Sequence, residues 1–282
     1  MEKLAGTEIR ILNPNIERGK IRFAIFDFDG TVSLLREGWQ NIMAPMMVEM
    51  ICGDHDPSEP ICQEVERRVR DYIDESTGIQ TILQMEKLVE MVREFGLVPE
   101  DKVLDAWGYK QIYNDRLMQP VRERLSQLER GEKTVEDFTV RGAIDTLRAL
   151  RERGVTLYAA SGTDRDDVVN EAKALGVDSY FNGGIFGALR SYQEYNKEKV
   201  IRQILNEHNL SGPELVIFGD GPVEIRLARQ YGAIGVGVAS DEKRGEGWND
   251  EKVARLTKAG ADILIPDFKE RKALLDYLFA ES

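Results

Sequence analysis

The stretch Ile21-Arg22-Phe23-Ala24-Ile25-Phe26-Asp27-Phe28-Asp29-Gly30-Thr31 sets a short apolar, β-favouring run directly against two carboxylates and a glycine. A run of this length and composition reads as a buried strand over 21–26 that stops at a tight turn. Toward the C-terminus, beyond Thr134, short apolar runs alternate regularly with amphipathic stretches. Residues 155–160, 215–218, 234–238 and 263–265 read as strands; 143–153, 166–175, 197–208, 223–230, 250–259 and 268–279 read as helices. Strand and helix in succession make βαβ units. The expected fold class is therefore α/β, a Rossmann-like doubly wound parallel sheet with helices on both faces, and the 21–26 strand belongs to it.

Between about 36 and 137 the texture differs, and no convincing strand occurs. Residues 63–73, 81–95 and 101–129 carry apolar side chains at three- and four-residue spacing among many charges, and Pro99-Glu100-Asp101 has the form of a helix start. The organisation predicted is a core made of 1–34 and 138–282, with an all-α domain over 35–137 inserted after the first strand. Residues 240–250, rich in charge and glycine, are predicted to be a mobile loop.

Of the 282 residues 42% are apolar and 31% charged, which is ordinary for a globular chain with a real core. The 50 acidic residues outnumber the 38 basic ones and give a net charge of −12, so a phosphate-backbone binder is not expected. No apolar run approaches the ~18 residues of a membrane span, and the first residues lack an apolar leader. The expectation is a soluble cytoplasmic protein, a monomer or small homo-oligomer, with no nucleic-acid or membrane partner. Cys52, His55 and Cys62 form an incomplete zinc-like set, better read as a loop between helices.

In an open parallel sheet, ligands bind beyond the carboxyl ends of the strands. Three polar sets lie there: Asp27-Phe28-Asp29-Gly30-Thr31, Ser161-Gly162-Thr163, and Gly219-Asp220-Gly221 with Glu224 a turn later. Two carboxylates two residues apart repel if both are ionised, and a divalent cation or a shared proton resolves the repulsion. With Asp220 added, the oxygen-rich set suits Mg²⁺. Ser161 at a strand end, with Gly162 and Thr163 opening the next helix, offers a hydroxyl and backbone N–H groups to an anion. A lysine before the Asp220 strand would add positive charge, and Lys197 and Lys199 are both there. Each set alone has a plainer reading, as turn acids, a helix N-cap or an Asp-Gly-Pro turn. Asp-x-Asp-Gly-Thr arises by accident in roughly one chain in a few hundred, and three such sets in order are poorly explained by accident.

With these motifs the sequence resembles the haloacid dehalogenase superfamily of phosphohydrolases over about residues 22–266. The resemblance implies that Asp27 is the nucleophile and Asp29 the general acid/base. Ser161 matches the second motif, and Asn196-Lys197-Glu198-Lys199-Val200 the third in a register favouring Lys197 over Lys199. Gly219-Asp220-Gly221-Pro222-Val223-Glu224 matches the fourth, with Glu where Asp is commoner. It also implies Mg²⁺ held by Asp27, the backbone carbonyl of Asp29, and Asp220. Ser161, Gly162 and Lys197 would bind the phosphoryl group, Thr31 and Glu224 would stand behind them, and residues 35–137 would form a helical cap.

The resemblance implies hydrolysis of a small-molecule phosphate ester, a sugar, polyol or hydroxy-acid phosphate, through an aspartyl-phosphate. A sugar phosphomutase shares all four motifs and is the alternative enzyme. An inactive binding or regulatory relative is the alternative of another class, although such relatives usually lose the nucleophile or the metal acid. Asp29 argues against a dehalogenase, which protonates no alkoxide. Specificity candidates are Arg36 and Trp39 at the entry to the insertion, Thr77 and Gln80 within the polar turn 76–81, which is read as having no core duty, and Arg190 with Tyr192 before the third motif.

Overall fold

The computed structural model describes residues 2–189 and 196–281. In chain order the strands are β1 (Glu2–Lys3), β2 (Arg10–Ile11), β3 (Phe23–Phe26), β4 (Thr156–Asp164), β5 (Gly184–Ala188), β6 (Leu215–Gly219), β7 (Ile234–Val238) and β8 (Ile263–Ile265). The helices are α1 (Gln40–Cys52), α2 (Pro60–Ser76), α3 (Thr81–Phe95), α4 (Ala106–Glu129), α5 (Ala143–Glu152), α6 (Arg165–Ala174), α7 (Lys197–Glu207), α8 (Pro222–Gln230), α9 (Asp250–Ala259) and α10 (Arg271–Phe279).

One sheet runs β1-β2-β8-β7-β6-β3-β4-β5, parallel from β8 to β5, with β1 and β2 antiparallel at the edge. Phe26 pairs with Ala159 on one side and Phe218 on the other, so β3 is central and buried on both faces. Successive residues of a strand point to opposite faces. Ala24 and Phe26 accordingly join one apolar cluster with Leu147 and Leu150 of α5, Val168 of α6 and Leu274 and Leu278 of α10. Phe23 and Ile25 join another with Val200 and Ile204 of α7 and Ala228 of α8. The fold is thus the doubly wound Rossmann-like α/β sheet that the strand-helix alternation implied. From β3 the chain proceeds outward to β4 and β5, then returns to β6 on the other side of β3. This reversal makes the ends of β3 and β6 the point where an open α/β sheet opens a crevice.

Helices α1–α4, all between β3 and β4, bury their own apolar cluster: Met43, Met46 and Met47 of α1, Val65 and Val69 of α2, Met85 and Leu88 of α3, and Tyr113 and Leu117 of α4. Among the described residues no helix is long and apolar enough to cross a membrane.

Several local expectations are corrected. The first strand begins at Phe23 rather than residue 21, and α1, β5 and the β1–β2 hairpin are additional elements. Pro99-Glu100-Asp101 opens only a single 3₁₀ turn over Glu100–Lys102, because Val103 leaves the helical region. The helix proper starts at Ala106, where Asp105 accepts a hydrogen bond from Gly108 N at 2.8 Å as its N-cap. β4 runs on through Asp164 with a register shift after Ala160, so Gly162 and Thr163 belong to an irregular strand end and do not open the next helix. The stretch read as a mobile loop is a hydrogen-bonded turn: Ser240 bridges Trp248, Asp241 N donates to Gly247 O at 2.9 Å, and Asn249 N donates to Ala239 O at 2.8 Å. Cys52 and Cys62 are free, buried thiols, while His55 faces Glu59 at 3.3 Å.

Candidate active site

Asp27 directly follows β3, and its backbone N–H donates to Phe218 O of β6 at 2.8 Å. Its carboxylate, 4% exposed, accepts from Phe28 N at 2.8 Å and pairs with Lys197 Nζ at 2.9 Å. Lys197 reaches it from the first turn of α7, whose N-cap Asn196 accepts from Lys199 N at 2.7 Å. The same ammonium pairs with Glu224 of α8. Lys199, two positions on, faces solvent. Lys197 and Lys199 therefore occupy different settings, since residues two apart on a helix point in different directions.

Asp29 behaves differently although it is chemically identical. Its Oδ2 accepts from Ser161 Oγ at 3.1 Å and Thr163 Oγ1 at 3.0 Å, both on the irregular end of β4. Its Oδ1 makes no hydrogen bond among the described residues and lies 3.9 Å from Arg36 Nε. Thr163 N donates to Ser161 Oγ at 3.0 Å, so that N–H is already engaged rather than open to an anion.

Asp220, at the end of β6, is 4% exposed, and its Oδ2 pairs with Lys252 Nζ at 2.8 Å; Lys252 also meets Glu242 Oε1 at 2.7 Å. Gly30 turns beside it with φ of +73°, and a Cβ there would lie 2.5 Å from Asp220 Oδ2. Glycine is required at this position on both counts. Thr31 is fully buried, and its hydroxyl has no hydrogen-bond partner among the described residues.

Four carboxylates, Asp27, Asp220, Glu224 and Glu242, thus crowd two ammonium groups, Lys197 and Lys252, and leave two negative charges in a largely dry environment. Burial raises Asp27 well above the usual carboxylate range; Lys197 opposes this, and Glu224 and Asp220 add to it. Burial works against the Lys252 charge, but Asp220 and Glu242 outweigh it and raise its pKa. An oxygen-rich set short of two positive charges fits a hard divalent cation. Its donors would be the Asp27 and Asp220 carboxylates with the main-chain carbonyl of Asp29, because the Asp29 carboxylate is turned to Ser161 and Thr163. Among the described residues, no three His, Cys, Asp or Glu side chains are grouped to hold a metal; the donors here are two carboxylates and a main-chain carbonyl.

The helical insertion covers this crevice and leaves a half-open cavity of about 70 Å³, lined by Asp27, Asp29, Ser161, Gly162, Lys197 and Asp220 from the sheet and by Arg36, Trp39, Thr77, Gly78, Thr81, Gln84 and Tyr113 from the insertion. The turn between α2 and α3 is pressed onto the sheet side, and a Cβ at Gly162 would overlap the Ile79 carbonyl. Lys110 of α4 pairs with Asp164 at 2.6 Å and Arg255 of α9 with Asp74 of α2 at 3.1 Å, tying insertion to sheet on two flanks.

Of the specificity candidates, Arg36, Trp39 and Thr77 line the cavity. Thr77 is buried and its hydroxyl donates to Ile73 O at 3.0 Å, so the polar turn does have a packing duty, contrary to expectation. Gln80 is buried but does not line the cavity; Thr81 and Gln84 do. Arg36 lines the cavity with its guanidinium already engaged by acids. It is buried and grips Glu171 at 2.6 Å and Asp167 at 3.1 Å, and the three surrounding acids raise its pKa. Arg190 and Tyr192 lie outside the described residues. Lys252, Glu242 and the hydroxyl role of Thr163 toward Asp29 were not singled out by the sequence. Thr163 stood beside Ser161 in the motif, whereas the other two come from a charged turn and a helix start that no spacing connects to Asp220.

Residues 21–232 match the family profile of haloacid dehalogenase-like hydrolases. No curated protein sequence matches the chain. Among solved structures it resembles a hydrolase from Pseudomonas syringae, at 21% identity and a TM-score of 0.58 over 91% of this chain and 99% of that one. It is similar as well to a predicted phosphoglycolate phosphatase from Haemophilus somnus 129pt, at 15% identity and a TM-score of 0.58 over 93% and 99%. A β-phosphoglucomutase from Clostridium difficile is matched at 16% identity and a TM-score of 0.58 over 93% and 98%. At such identities these likenesses speak to the fold alone; the profile, which spans most of the chain from β3 past α8, carries the assignment. The chain belongs to the haloacid dehalogenase-like hydrolases.

Proposed function

We propose that the protein is a Mg²⁺-dependent phosphohydrolase of the cytoplasm that acts on a small phosphorylated metabolite, a sugar, polyol or hydroxy-acid phosphate. The observation that carries the reading is the unequal treatment of two neighbouring acids: Asp27 is buried against the Lys197 ammonium, while Asp29 is held through hydroxyls at the cavity wall. A nucleophile needs to be fixed in place with its charge supported against burial, as Lys197 does for Asp27, and an acid/base needs to stand at the wall where the leaving oxygen would sit.

In this reading a carboxylate oxygen of Asp27 attacks phosphorus, the bond to the leaving oxygen breaks, and Asp29 gives that oxygen its proton. Asp29 then takes a proton from water, which attacks phosphorus, releases inorganic phosphate and restores Asp27. Lys197 holds Asp27 in place and meets the charge on the phosphoryl oxygens, together with Ser161 and Gly162. Asp27, Asp220 and the Asp29 carbonyl would hold Mg²⁺, which when bound offsets the negative charge of the phosphoryl group. Residues 35–137 act as the cap, excluding water from the first half-reaction.

A cavity of about 70 Å³, room for on the order of five water molecules, supports a small substrate. The test is a panel of such esters assayed for released phosphate, with Mg²⁺ and with chelator, for the native protein and Asp27→Asn. Mg²⁺-dependent release that Asp27→Asn abolishes is expected. Turnover without Mg²⁺, or undiminished in Asp27→Asn, overturns the reading, and interconversion of sugar phosphates without release assigns a mutase instead.

A further inference from the structure

Asp220 takes part in a second buried ion pair, distinct from that of Asp27 with Lys197. Lys252 occupies the first turn of α9, where its backbone N–H donates to the N-cap Asn249 at 2.9 Å. From there its side chain, 5% exposed, bridges Asp220 Oδ2 and Glu242 Oε1. Glu242 is delivered by the turn that Ser240 and Trp248 close. Gly30 shuts the other side: a Cβ there would lie 3.2 Å from Glu242 Oε1 as well as against Asp220. Arg255, one turn further along α9, donates to the Asp220 carbonyl at 3.3 Å. Both the backbone and one carboxylate oxygen of Asp220 are therefore held from the same helix.

A carboxylate held at one oxygen by a buried ion pair is restricted in its rotation and keeps the other oxygen for a further partner, the kind of support that outer residues give to metal ligands. A lone ammonium so close would repel a cation, and Glu242 cancels that charge. We propose that Lys252 is a positioning residue: it fixes Asp220 through Oδ2 and leaves Oδ1 to the divalent cation, with Glu242 as the counter-charge that makes the arrangement compatible with metal binding. This rests on the reading of Asp220 as a ligand to that cation.

Charge and position make opposite demands, which gives the test its edge. Removing a positive charge beside a cation site should tighten binding by Coulomb's law. Loss of the tether should weaken it. Calorimetric titration with Mg²⁺ alone, on the full chain, is expected to show Lys252→Met at least tenfold weaker than the native protein. The double variant Lys252→Met/Glu242→Gln, whose local charge equals the native one, should remain at least tenfold weaker. Glu242→Gln alone keeps the tether but leaves the ammonium uncompensated, so a loss of roughly three- to tenfold is expected.

In turnover, the Mg²⁺ concentration for half-maximal rate should rise in step while the KM for the ester stays within twofold. Binding by Lys252→Met that is equal to or tighter than native, or recovery of the double variant to within twofold, overturns the proposal. If Lys252→Met does not fold, Glu242→Gln decides, and unchanged Mg²⁺ affinity there overturns it. Asp220→Ala is the control. Native-like Mg²⁺ binding in that variant defeats the assignment of Asp220 itself, whereas weak binding there beside native-like binding in Lys252→Met defeats only the role given to Lys252.

Discussion

Replacing Lys197 with methionine removes the ammonium while keeping most of its aliphatic stem. At 2.9 Å from Asp27 Oδ1, and with an effective dielectric near 20, the lost attraction is about 6 kcal/mol before solvation is counted. Breaking one side of a buried pair typically leaves a net cost of about 3–5 kcal/mol, because the abandoned charge stays buried. Here two are abandoned, Asp27 and Glu224. Removing one preorganised donor to the reacting group costs about 10²–10³ in rate. The expected outcome for Lys197→Met is therefore a drop in turnover of at least a hundredfold and a clearly lower melting temperature. Lys199→Ala alters an exposed side chain and should change stability by at most about 0.5 kcal/mol and turnover by less than twofold. Initial rates of phosphate release, measured below the melting temperature of each variant, compare the two. A larger loss at Lys199, or Lys197→Met within threefold of native activity, refutes the reasoning.

Asp29→Asn should retain Mg²⁺ binding, since only its backbone carbonyl is assigned to the ion, and should slow an alkyl phosphate far more than an activated aryl phosphate; equal suppression of both removes Asp29 from the role of leaving-group acid. Burial raises Glu171 to about 7 from an ordinary 4.5, with Arg36 opposing and Asp29 and Asp167 adding to the rise. The native state thus binds this proton more tightly than the unfolded chain does, so the stability it confers is complete below pH 4.5 and is lost as pH rises to about 7. The amount is up to ~3 kcal/mol, and melting curves of Glu171→Gln should decline less over this window; an unchanged pH profile counts against the assignment.

The core of this fold was legible because its signals are local. Each parallel strand is a short apolar run ending in polar residues, and the sets at Asp27, Ser161 and Asp220 do converge where β3, β4 and β6 lie side by side. What escaped has a physical reason in each case. β5, Gly-Ile-Phe-Gly-Ala, is too short and glycine-rich to stand out, and among the described residues it pairs only with β4. The Ser76–Thr81 turn is polar enough to suggest solvent, yet its backbone fits under Gly162 and its hydroxyls are satisfied locally, a matter of tertiary contact that composition does not encode. Arg36 looked available because its partners, Asp167 and Glu171, lie about 130 residues away on α6. Lys252 and Glu242 meet Asp220 only because the turn after β7 folds back over Gly30. Long-range charge pairing of this kind leaves no periodicity to read.

Of the several buried carboxylates, Asp27 is the one expected to become covalently phosphorylated. Acid quenching during turnover, followed by borohydride reduction, converts an aspartyl-phosphate to homoserine, which mass spectrometry of the digested protein locates. Homoserine at position 27 is expected, absent without substrate and absent in Asp27→Asn. Steady phosphate release with no modified residue, or with the modification at Asp29 or Asp220, would contradict the account.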